Sequence, residues 1–339
     1  MTNRRLPAEW EPQSAVQLTW PHEESDWAGD MDIVVPCFVA IAREILKRQK
    51  LVVVCKDSEA VRKQIGSESA NLMLVELPTN DTWARDHGAI SIEEDGKPVL
   101  LDFVFNGWGL KFAADKDNLI SGRLHERGIF GKVPMRHAGL AFEGGSFESD
   151  GEGTLLTTTE CLLSRNRNPH LSKQEVEDKL KELFGVKKVL WLNNGYLAGD
   201  DTDSHIDTLA RLVPGNKILY VKCDDTADEH YQALNKMEAE LQNLTNSNGM
   251  PYELMPLPMA DVAFDDEGNR LPATYANYLI INGAVLVPFY QSPKDQKAAA
   301  IIQRAFPQHE IVGIDCRPLI LQHGSLHCVT MQYPVGVVE

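Results

Sequence analysis

The sequence predicts an α/β protein of 339 residues built from a fivefold repeat of two strands, a helix and a third strand. Five amphipathic helical segments are distributed along the chain, and each leads into a short β-rich segment. Each β-rich segment is followed by a polar or glycine-containing turn and another strand. This recurrence favours a closed, pseudo-symmetric array of such units, whose equivalent turns would converge on one axis. The alternative is a doubly wound α/β sheet whose segment spacing is coincidental.

The five helices are predicted from apolar residues that recur at helical spacing. The third helix begins with a capping-box pattern, because Ser172 is followed three residues later by Glu175. The fifth helix is ended by Pro307, which cannot continue a helix. The predicted bounds of the five helices are 31–49, 117–127, 172–184, 228–244 and 294–306.

The predicted strands and turns that follow the helices keep a long, regular period. The strands are 51–54, 132–135, 187–192, 252–255 and 310–314. The turns carry the marker residues Asp86, Glu143, Asp207, Asn277 and Cys328, at separations of 57, 64, 70 and 51 residues. Because the fifth helix and the fifth turn both fall where this period places them, we predict a single domain that spans 1–339.

Composition and charge exclude several classes of protein. The formal net charge is −16 and the sequence pI is about 5.1, which argues against nucleic acid and anionic membranes as partners and suits a cationic small ligand. The chain contains no run of about 18 apolar residues. Its first residues lack the apolar segment of a secretory signal, so a cytoplasmic enzyme is expected. The composition is compatible with a homo-oligomer.

One of the six cysteines stands in a setting suited to chemistry. Cys328 follows a glycine- and serine-containing turn and precedes a strand-like segment, whereas the other cysteines have the character of small buried hydrophobic residues. The six cysteines are too few and too scattered for a disulfide framework, and no Cys-x-x-Cys pair occurs, so a thiolate zinc site or a redox motif is not expected. Cys328 is therefore a candidate nucleophile, ligand or structural residue.

The turn residues together favour the nucleophile. A cysteine nucleophile needs a general acid/base such as His205 and an orienting carboxylate. Additional carboxylates disfavour a thiolate unless the substrate itself is positively charged. A planar guanidinium group binds paired carboxylates and an aromatic face, and Asp86, Asp207 and Trp83 supply these types. Such a cation beside Cys328 would also lower the pKa of the thiol.

A set of short motifs covers nearly the whole chain. The motifs are Leu6-Pro7-Ala8-Glu9-Trp10-Glu11-Pro12, Thr19-Trp20-Pro21, Asp81-Thr82-Trp83-Ala84-Arg85-Asp86, Phe142-Glu143-Gly144-Gly145, Asn166-Arg167-Asn168-Pro169, Asp201-Thr202-Asp203-Ser204-His205-Ile206-Asp207 and Leu326-His327-Cys328. In this order they resemble the agmatine deiminases, members of the guanidino-group-modifying superfamily with the fivefold α/β propeller, or pentein, fold. Bacterial peptidylarginine deiminases are related to them.

The resemblance implies a two-step hydrolysis that needs no metal and no cofactor. Cys328 attacks the guanidinium carbon, and His205 protonates the departing ammonia. Water that His205 deprotonates then releases a ureido product from the cysteine. Within this resemblance, Asp86 and Asp207 are the guanidinium clamp, while Glu143 orients and charges His205.

The substrate's far end is less specified. The resemblance assigns Trp83 to the guanidinium pocket. Agmatine carries a second cation, and Asp201 or Asp203 is the candidate partner for its amine, although both residues also suit a turn that caps local backbone. Free or peptidyl arginine would favour an arginine at the site, but Arg85 and Arg167 are expected to pair structurally with their neighbours.

The leading hypothesis is an agmatine deiminase that forms N-carbamoylputrescine and ammonia within polyamine metabolism. The alternatives are a peptidyl-arginine deiminase, an amidinotransferase, a non-catalytic binder of polyamines or guanidines, and a metal site formed by His323, His327 and Cys328. Because side chains alternate along a strand, His327 and Cys328 would point in opposite directions, which makes joint metal ligation awkward. The segment 106–109 is either a mobile loop over the site or an ordinary turn.

Overall fold

The computed structural model describes residues 3–66 and 68–339. Within these ranges the strands form five separate sheets, and every sheet contains the same core unit. In one example, Ala210–Val213 runs antiparallel to Lys217–Lys222, the helix Tyr231–Leu241 follows, and Glu253–Pro258 then pairs in parallel with the second strand. The structure thus confirms the mixed α/β content and the recurring ββαβ order.

The bounds of the strands follow this order in each sheet. In hydrogen-bonded order, the five sheets are Arg4–Arg5, Ile90–Glu94, Lys97–Val104, Met135–Ala141; Lys188–Leu192, Thr154–Thr158, Phe147–Ser149; Ala210–Val213, Lys217–Lys222, Glu253–Pro258; Leu279–Ile281, Ala284–Phe289, Glu310–Asp315; and Thr330–Pro334, Gln13–Thr19, Lys50–Cys55, Leu72–Glu76. In the last sheet a strand near the C-terminus pairs antiparallel with one near the N-terminus. The two ends of the chain therefore complete one unit together.

All five predicted helices are present, and their bounds are Met31–Leu46, Ile120–Glu126, Lys173–Phe184, Tyr231–Leu241 and Lys294–Ala305. The capping box is confirmed, since the Ser172 hydroxyl accepts a hydrogen bond from the Glu175 amide and the Glu175 carboxylate accepts one from Ser172. The helix then ends at Gly185, whose φ is 70°.

Two parts of the prediction were wrong in detail. The helix Ser58–Ile65, capped by Asp57, was missed because its short apolar stripe contributes only Val61 and Ile65 to the core. The strand predicted at 132–135 begins only at Met135 and continues to Ala141. The preceding residues form turns that end at Pro134, which accepts a hydrogen bond from Leu100 but has no amide to donate.

The five marker residues occupy equivalent places. Each lies two to four residues before the first strand of its antiparallel pair, as in Asp86 before Ile90–Glu94 and Cys328 before Thr330–Pro334. Three of these turns are tightened into short helical turns, Ala84–His87, Gly144–Ser146 and Ile206–Thr208. The fold thereby brings polar side chains from distant parts of the chain to the same end of their sheets. Within the described residues, no helix is long and apolar enough to span a bilayer.

Candidate active site

A pocket with an empty volume of about 470 Å³ opens above Cys328. Its lining combines aromatic walls with carboxylates, and no lysine or arginine contributes to it among the described residues. The lining residues are Asp26, Asp81, Trp83, Asp86, Trp108, Phe112, Asp201, Thr202, Gln322, His323, Gly324 and Cys328. A pocket of this charge is suited to a cation with an apolar body.

Cys328 lies at the base of this pocket, almost completely buried. Its Sγ is 3.4 Å from Asn277 Oδ1, to which it donates, and 3.9 Å from Asp207 Oδ2. Burial, followed by the negative charges of Asp207 and Asp86, raises the pKa of the thiol well above its usual value. The thiol is therefore protonated at neutral pH, and a cation beside it would favour the thiolate.

His205 lies between two carboxylates at longer range than a hydrogen bond. Its Nδ1 is 3.7 Å from Asp86 Oδ1, and its Nε2 is 3.9 Å from Glu143 Oε2. Neither ring nitrogen has a hydrogen-bond partner among the described residues, and burial lowers the pKa of His205 to about 3. The imidazole is thus neutral at neutral pH, which leaves one lone pair free to accept a proton.

Gly145 allows these side chains to approach one another. A Cβ atom at this position would lie 2.6 Å from His205 Nδ1, 3.0 Å from Asp86 Oδ1 and 3.1 Å from Asp207 Oδ2. These distances leave no room for a methyl group, so the second glycine of the Glu143-Gly144-Gly145 motif is required by the site rather than by a turn conformation.

Asp86 and Asp207 converge beside the thiol, and their pKa values are shifted in opposite directions. Asp86 accepts hydrogen bonds from Trp108 Nε1 at 2.9 Å and from the Gly145 amide at 3.0 Å. Burial, followed by the charge of Asp207, nevertheless raises the pKa of Asp86 well above its usual value. Burial also acts to raise the pKa of Asp207, but the hydrogen bond from His327 and nearby positive charges outweigh it and lower the pKa. Asp207 Oδ1 has no partner among the described residues.

Glu143 is held by an arginine that sequence reasoning treated as structural. Arg167 Nε lies 2.9 Å from both carboxylate oxygens of Glu143, and Arg167 Nη1 lies 2.6 Å from Asp203 Oδ2. Asp203 also pairs with Lys111 at 2.6 Å. Asp203 therefore takes part in an ion-pair network and does not line the pocket, although it was a candidate partner for the substrate amine. The motif Asn166-Arg167-Asn168-Pro169 was the signal that could have identified Arg167.

Trp83 and three aspartates also line the pocket. Trp83 Nε1 donates to Asp81 Oδ2 at 2.8 Å, and the Trp83 ring packs so closely on Gly324 that a Cβ there would lie 2.1 Å from it. Burial raises the pKa of Asp81 to about 6. Asp26 and Asp201 also line the pocket and add to its acidic character. Of the two predicted amine-binding aspartates, the structure brings only Asp201 to the pocket.

The segment 106–112 covers one side of the pocket. Gly107, Trp108, Gly109 and Leu110 all have positive φ values, so the chain here follows a left-handed path. This path directs the Trp108 indole to Asp86, while Lys111 Nζ bonds to the Asp201 carbonyl at 2.7 Å and to Asp203. The segment is consequently anchored to the residues that precede His205.

The proposed ligands of a metal site do not share one location. His323 bonds through Nδ1 to the Gly199 carbonyl at 2.8 Å, whereas both ring nitrogens of His327 contact buried carboxylates. In the described part of the chain, ligand atoms of Glu143, Cys161 and His205 lie within 4.8 Å of one another. Both oxygens of Glu143 already accept from Arg167, so this carboxylate is engaged in an ion pair.

Comparison with known proteins places this site among those of the guanidino-group-modifying enzymes. The model of the Porphyromonas-type peptidyl-arginine deiminase family matches residues 5–334. An agmatine deiminase of Pseudomonas aeruginosa (strain LESB58) is 33% identical, covering 97% of this chain and 95% of its own length. The chain therefore belongs to the Porphyromonas-type peptidyl-arginine deiminase family, and agmatine deiminases are among its relatives in sequence.

Solved structures give the same result for the fold. A Porphyromonas gingivalis protein is 55% identical with a TM-score of 0.96, covering 99% of this chain and 100% of its own. A substituted agmatine deiminase of C. jejuni, with substrate bound, is 38% identical with a TM-score of 0.91, covering 98% of this chain and 96% of its own. The described residues therefore have the α/β fold of these deiminases over almost their full length.

Proposed function

We propose that this chain is an agmatine deiminase that hydrolyses agmatine to N-carbamoylputrescine and ammonia. The observation that carries the proposal is the buried pair Asp86 and Asp207 beside Cys328. Asp86 and Cys328 line a pocket whose described lining has no lysine or arginine. Two carboxylates in such a place need a cationic ligand, and a guanidinium group matches their paired oxygens. The match to curated agmatine deiminases supports the same conclusion.

In the first step, the guanidinium binds with its nitrogens toward Asp86 and Asp207, and its charge lowers the pKa of the Cys328 thiol. The thiolate then attacks the guanidinium carbon and forms a C–S bond. His205 accepts the proton that the thiol gives up and passes it to the leaving nitrogen, the C–N bond breaks, and ammonia departs. The position of Cys328 Sγ, 3.9 Å from Asp207 Oδ2, supports attack on a carbon held by that carboxylate.

In the second step, water replaces ammonia in the site. His205 accepts a proton from this water, whose oxygen attacks the amidino carbon. The C–S bond then breaks, His205 returns this proton to the thiolate, and the second proton of the water is taken up by the departed ammonia as the ureido carbonyl forms. Glu143, 3.9 Å from His205 Nε2, stabilises the imidazolium that forms in each step. Because the imidazole of His205 is neutral at the start of each step, it can accept a proton in each of them.

The lining of the pocket supports agmatine over arginine. Asp26, Asp81 and Asp201 line the pocket, whereas the carboxylate of free arginine would face these three carboxylates without a cation. A primary amine at the end of an alkyl chain suits this environment, and Trp83 and Phe112 contact the apolar part of such a chain. We assign the amine partner to Asp201 together with Asp26 and Asp81.

Peptidyl-arginine deiminase is the second candidate, favoured by the description of the matching family model. A peptide would need access past the segment 106–112, which the bonds of Lys111 hold against the residues before His205. This closed segment favours a free small molecule over a peptide as the substrate.

We also propose that the five sheets are the blades of one closed fivefold propeller, forming a single catalytic domain with the pocket on its axis. The support is the repeated ββαβ order and the equivalent place of each marker residue. The enzyme would act in the cytoplasm, in polyamine metabolism that leads to putrescine.

The proposal is tested by supplying agmatine, free arginine and an arginine-containing peptide side by side and measuring ammonia and ureido product. We expect turnover of agmatine, and little of the other two. The variant Cys328→Ala should release no ammonia. Citrulline formed in the peptide as the main product would establish the second candidate instead, and unchanged ammonia release by the variant would exclude the cysteine mechanism.

A further inference from the structure

His327, the residue before the proposed nucleophile, lies between two buried carboxylates. Its Nδ1 is 2.7 Å from Asp207 Oδ2, and its Nε2 is 2.7 Å from Glu9 Oε2. The three side chains are at most 8% exposed. Glu9 belongs to the first of the motifs in the chain, which the proposed mechanism has not used. The N-terminal segment thus reaches the active site through His327.

Proton accounting restricts the state of this triad. Two lone pairs cannot face each other at 2.7 Å, so each contact must contain a proton. A neutral imidazole carries only one N–H, while an imidazolium carries two. Arg211 Nη2 lies 2.9 Å from Glu9 Oε2 and 3.2 Å from His327 Nε2. If Arg211 donated to the ring nitrogen instead, the shorter contact between Nε2 and Oε2 would still lack a proton.

The second proton resides on the histidine rather than on a carboxylate. Burial raises the pKa of Glu9, but the positive charges of His327 and Arg211 outweigh it, so the pKa is lowered and Glu9 is ionised. Asp207 is ionised as well, because the hydrogen bond from His327 and nearby positive charges lower its pKa. Burial, followed by Arg211 and Arg85, lowers the pKa of His327 although Glu9 and Asp207 act to raise it. The imidazolium is therefore favoured by the two contacts of 2.7 Å and not by this shift. Two ionised oxygens at hydrogen-bond distance from both nitrogens leave the imidazolium as the consistent arrangement.

We infer that His327 is an imidazolium bridge between Glu9 and Asp207 and that it acts as a positioning residue for the guanidinium clamp. By donating to Asp207 Oδ2, it keeps this carboxylate ionised and leaves the partner-free Oδ1 available for the substrate. Glu9 acts one step further away, by stabilising the positive charge on the ring. The role in catalysis rests on the proposed function, but the protonation state does not.

The protonation state is tested first, on the full-length enzyme without substrate. Histidine labelled with ¹⁵N is measured by NMR near pH 7, and the His327 signals are assigned by comparison with His327→Gln. An imidazolium has two protonated ring nitrogens with similar chemical shifts, whereas a neutral ring has two widely separated shifts. The neutral pattern for His327 would overturn the inference whatever the enzyme's activity, which separates this outcome from a failure of the proposed function.

The positioning role is tested with Glu9→Gln and the matched control Glu148→Gln. Both glutamates pair with Arg211, with Glu148 Oε1 at 2.5 Å from Arg211 Nε, but only Glu9 contacts His327. In Glu9→Gln the histidine loses one of its two carboxylates, so its pKa falls. We expect kcat/KM for agmatine to fall about tenfold, mainly through KM, and its alkaline limb to move to lower pH.

The control should keep the alkaline limb of the parent enzyme. Thermal unfolding of both variants checks that they are folded, and the NMR measurement applies to either one in the absence of turnover. Identical pH profiles for Glu9→Gln, Glu148→Gln and the parent would refute the positioning role.

Discussion

Replacing Arg167 with glutamine tests how the site keeps Glu143 ionised beside His205. The guanidinium makes a bond of 2.9 Å to each oxygen of Glu143, and further bonds of 2.6 Å to Asp203 and 2.9 Å to the Thr202 carbonyl. The Arg167 and Glu143 side chains are 0% and 1% exposed. A glutamine can replace at most one of these bonds and carries no charge.

The expected loss in the free energy of unfolding follows from the burial of this ion pair. Removing one partner of a buried ion pair costs roughly 3–5 kcal/mol, because the other charge is left uncompensated. The pair with Asp203 adds about 1 kcal/mol or less, since Asp203 is 24% exposed and solvent screens it. Without Arg167, burial raises the pKa of Glu143 further above its unfolded value. The destabilisation is therefore largest above this pKa and declines as the pH falls and Glu143 is protonated.

The same change alters catalysis. A protonated Glu143 no longer stabilises the imidazolium of His205, so kcat at neutral pH should fall at least tenfold, and the acid limb of activity should move to higher pH. The assay combines urea unfolding at two pH values with ammonia release. The control is Arg317→Gln, which removes an exposed Arg–Asp pair, 48% exposed on each side, and should cost about 1 kcal/mol or less. An Arg167→Gln enzyme that matches this control in unfolding free energy and in kcat would refute the reasoning.

Three further predictions concern the pocket and the histidine. Asp201→Asn should raise KM for agmatine about tenfold with little change in kcat, measured beside Asp203→Asn; equal kcat with a larger KM effect for Asp203 would reverse the amine assignment. Gly145→Ala should lower kcat at least tenfold because its Cβ meets His205 Nδ1 at 2.6 Å, whereas Gly122→Ala, where a Cβ meets nothing within 4 Å, should retain activity; similar kcat values for the two variants would contradict the steric argument. Because burial lowers the folded pKa of His205 to about 3, its contribution to stability is present above the unfolded value of 6.5 and is lost as the pH falls toward 3; acid titration of His205→Gln unfolding should show a shallower decline than the parent, and equal slopes would oppose this account.

The sequence located the unit and its turns because both depend on local pattern. Helical periodicity and the capping box placed the helices to within a few residues, and the spacing of the marker residues anticipated their equivalent positions before five first strands. The strand 135–141 was displaced because turn residues before Pro134 mimic a β-rich segment. The fivefold closure itself stays a proposal.

Side-chain partners were harder to predict, because they depend on residues far apart in the chain. Asp201 and Asp203 look alike in the sequence, yet a left-handed turn with φ of 65° at Asp203 directs that side chain to Arg167 and Lys111. Asn277 was recognised as a marker, but its bond to the Cys328 thiol was not anticipated.

By itself, the sequence determined the α/β repeat, the candidate nucleophile and the kind of cation that the carboxylates require, because residue type and spacing carry that information. Only the tertiary structure decided the charge states and contacts at the site. The pKa of Cys328 and of His205 depends on burial and on charges contributed by other sheets, and Glu9 meets His327 across 318 residues of chain. These properties arise from the low-dielectric interior that folding creates, which no local pattern in the sequence encodes.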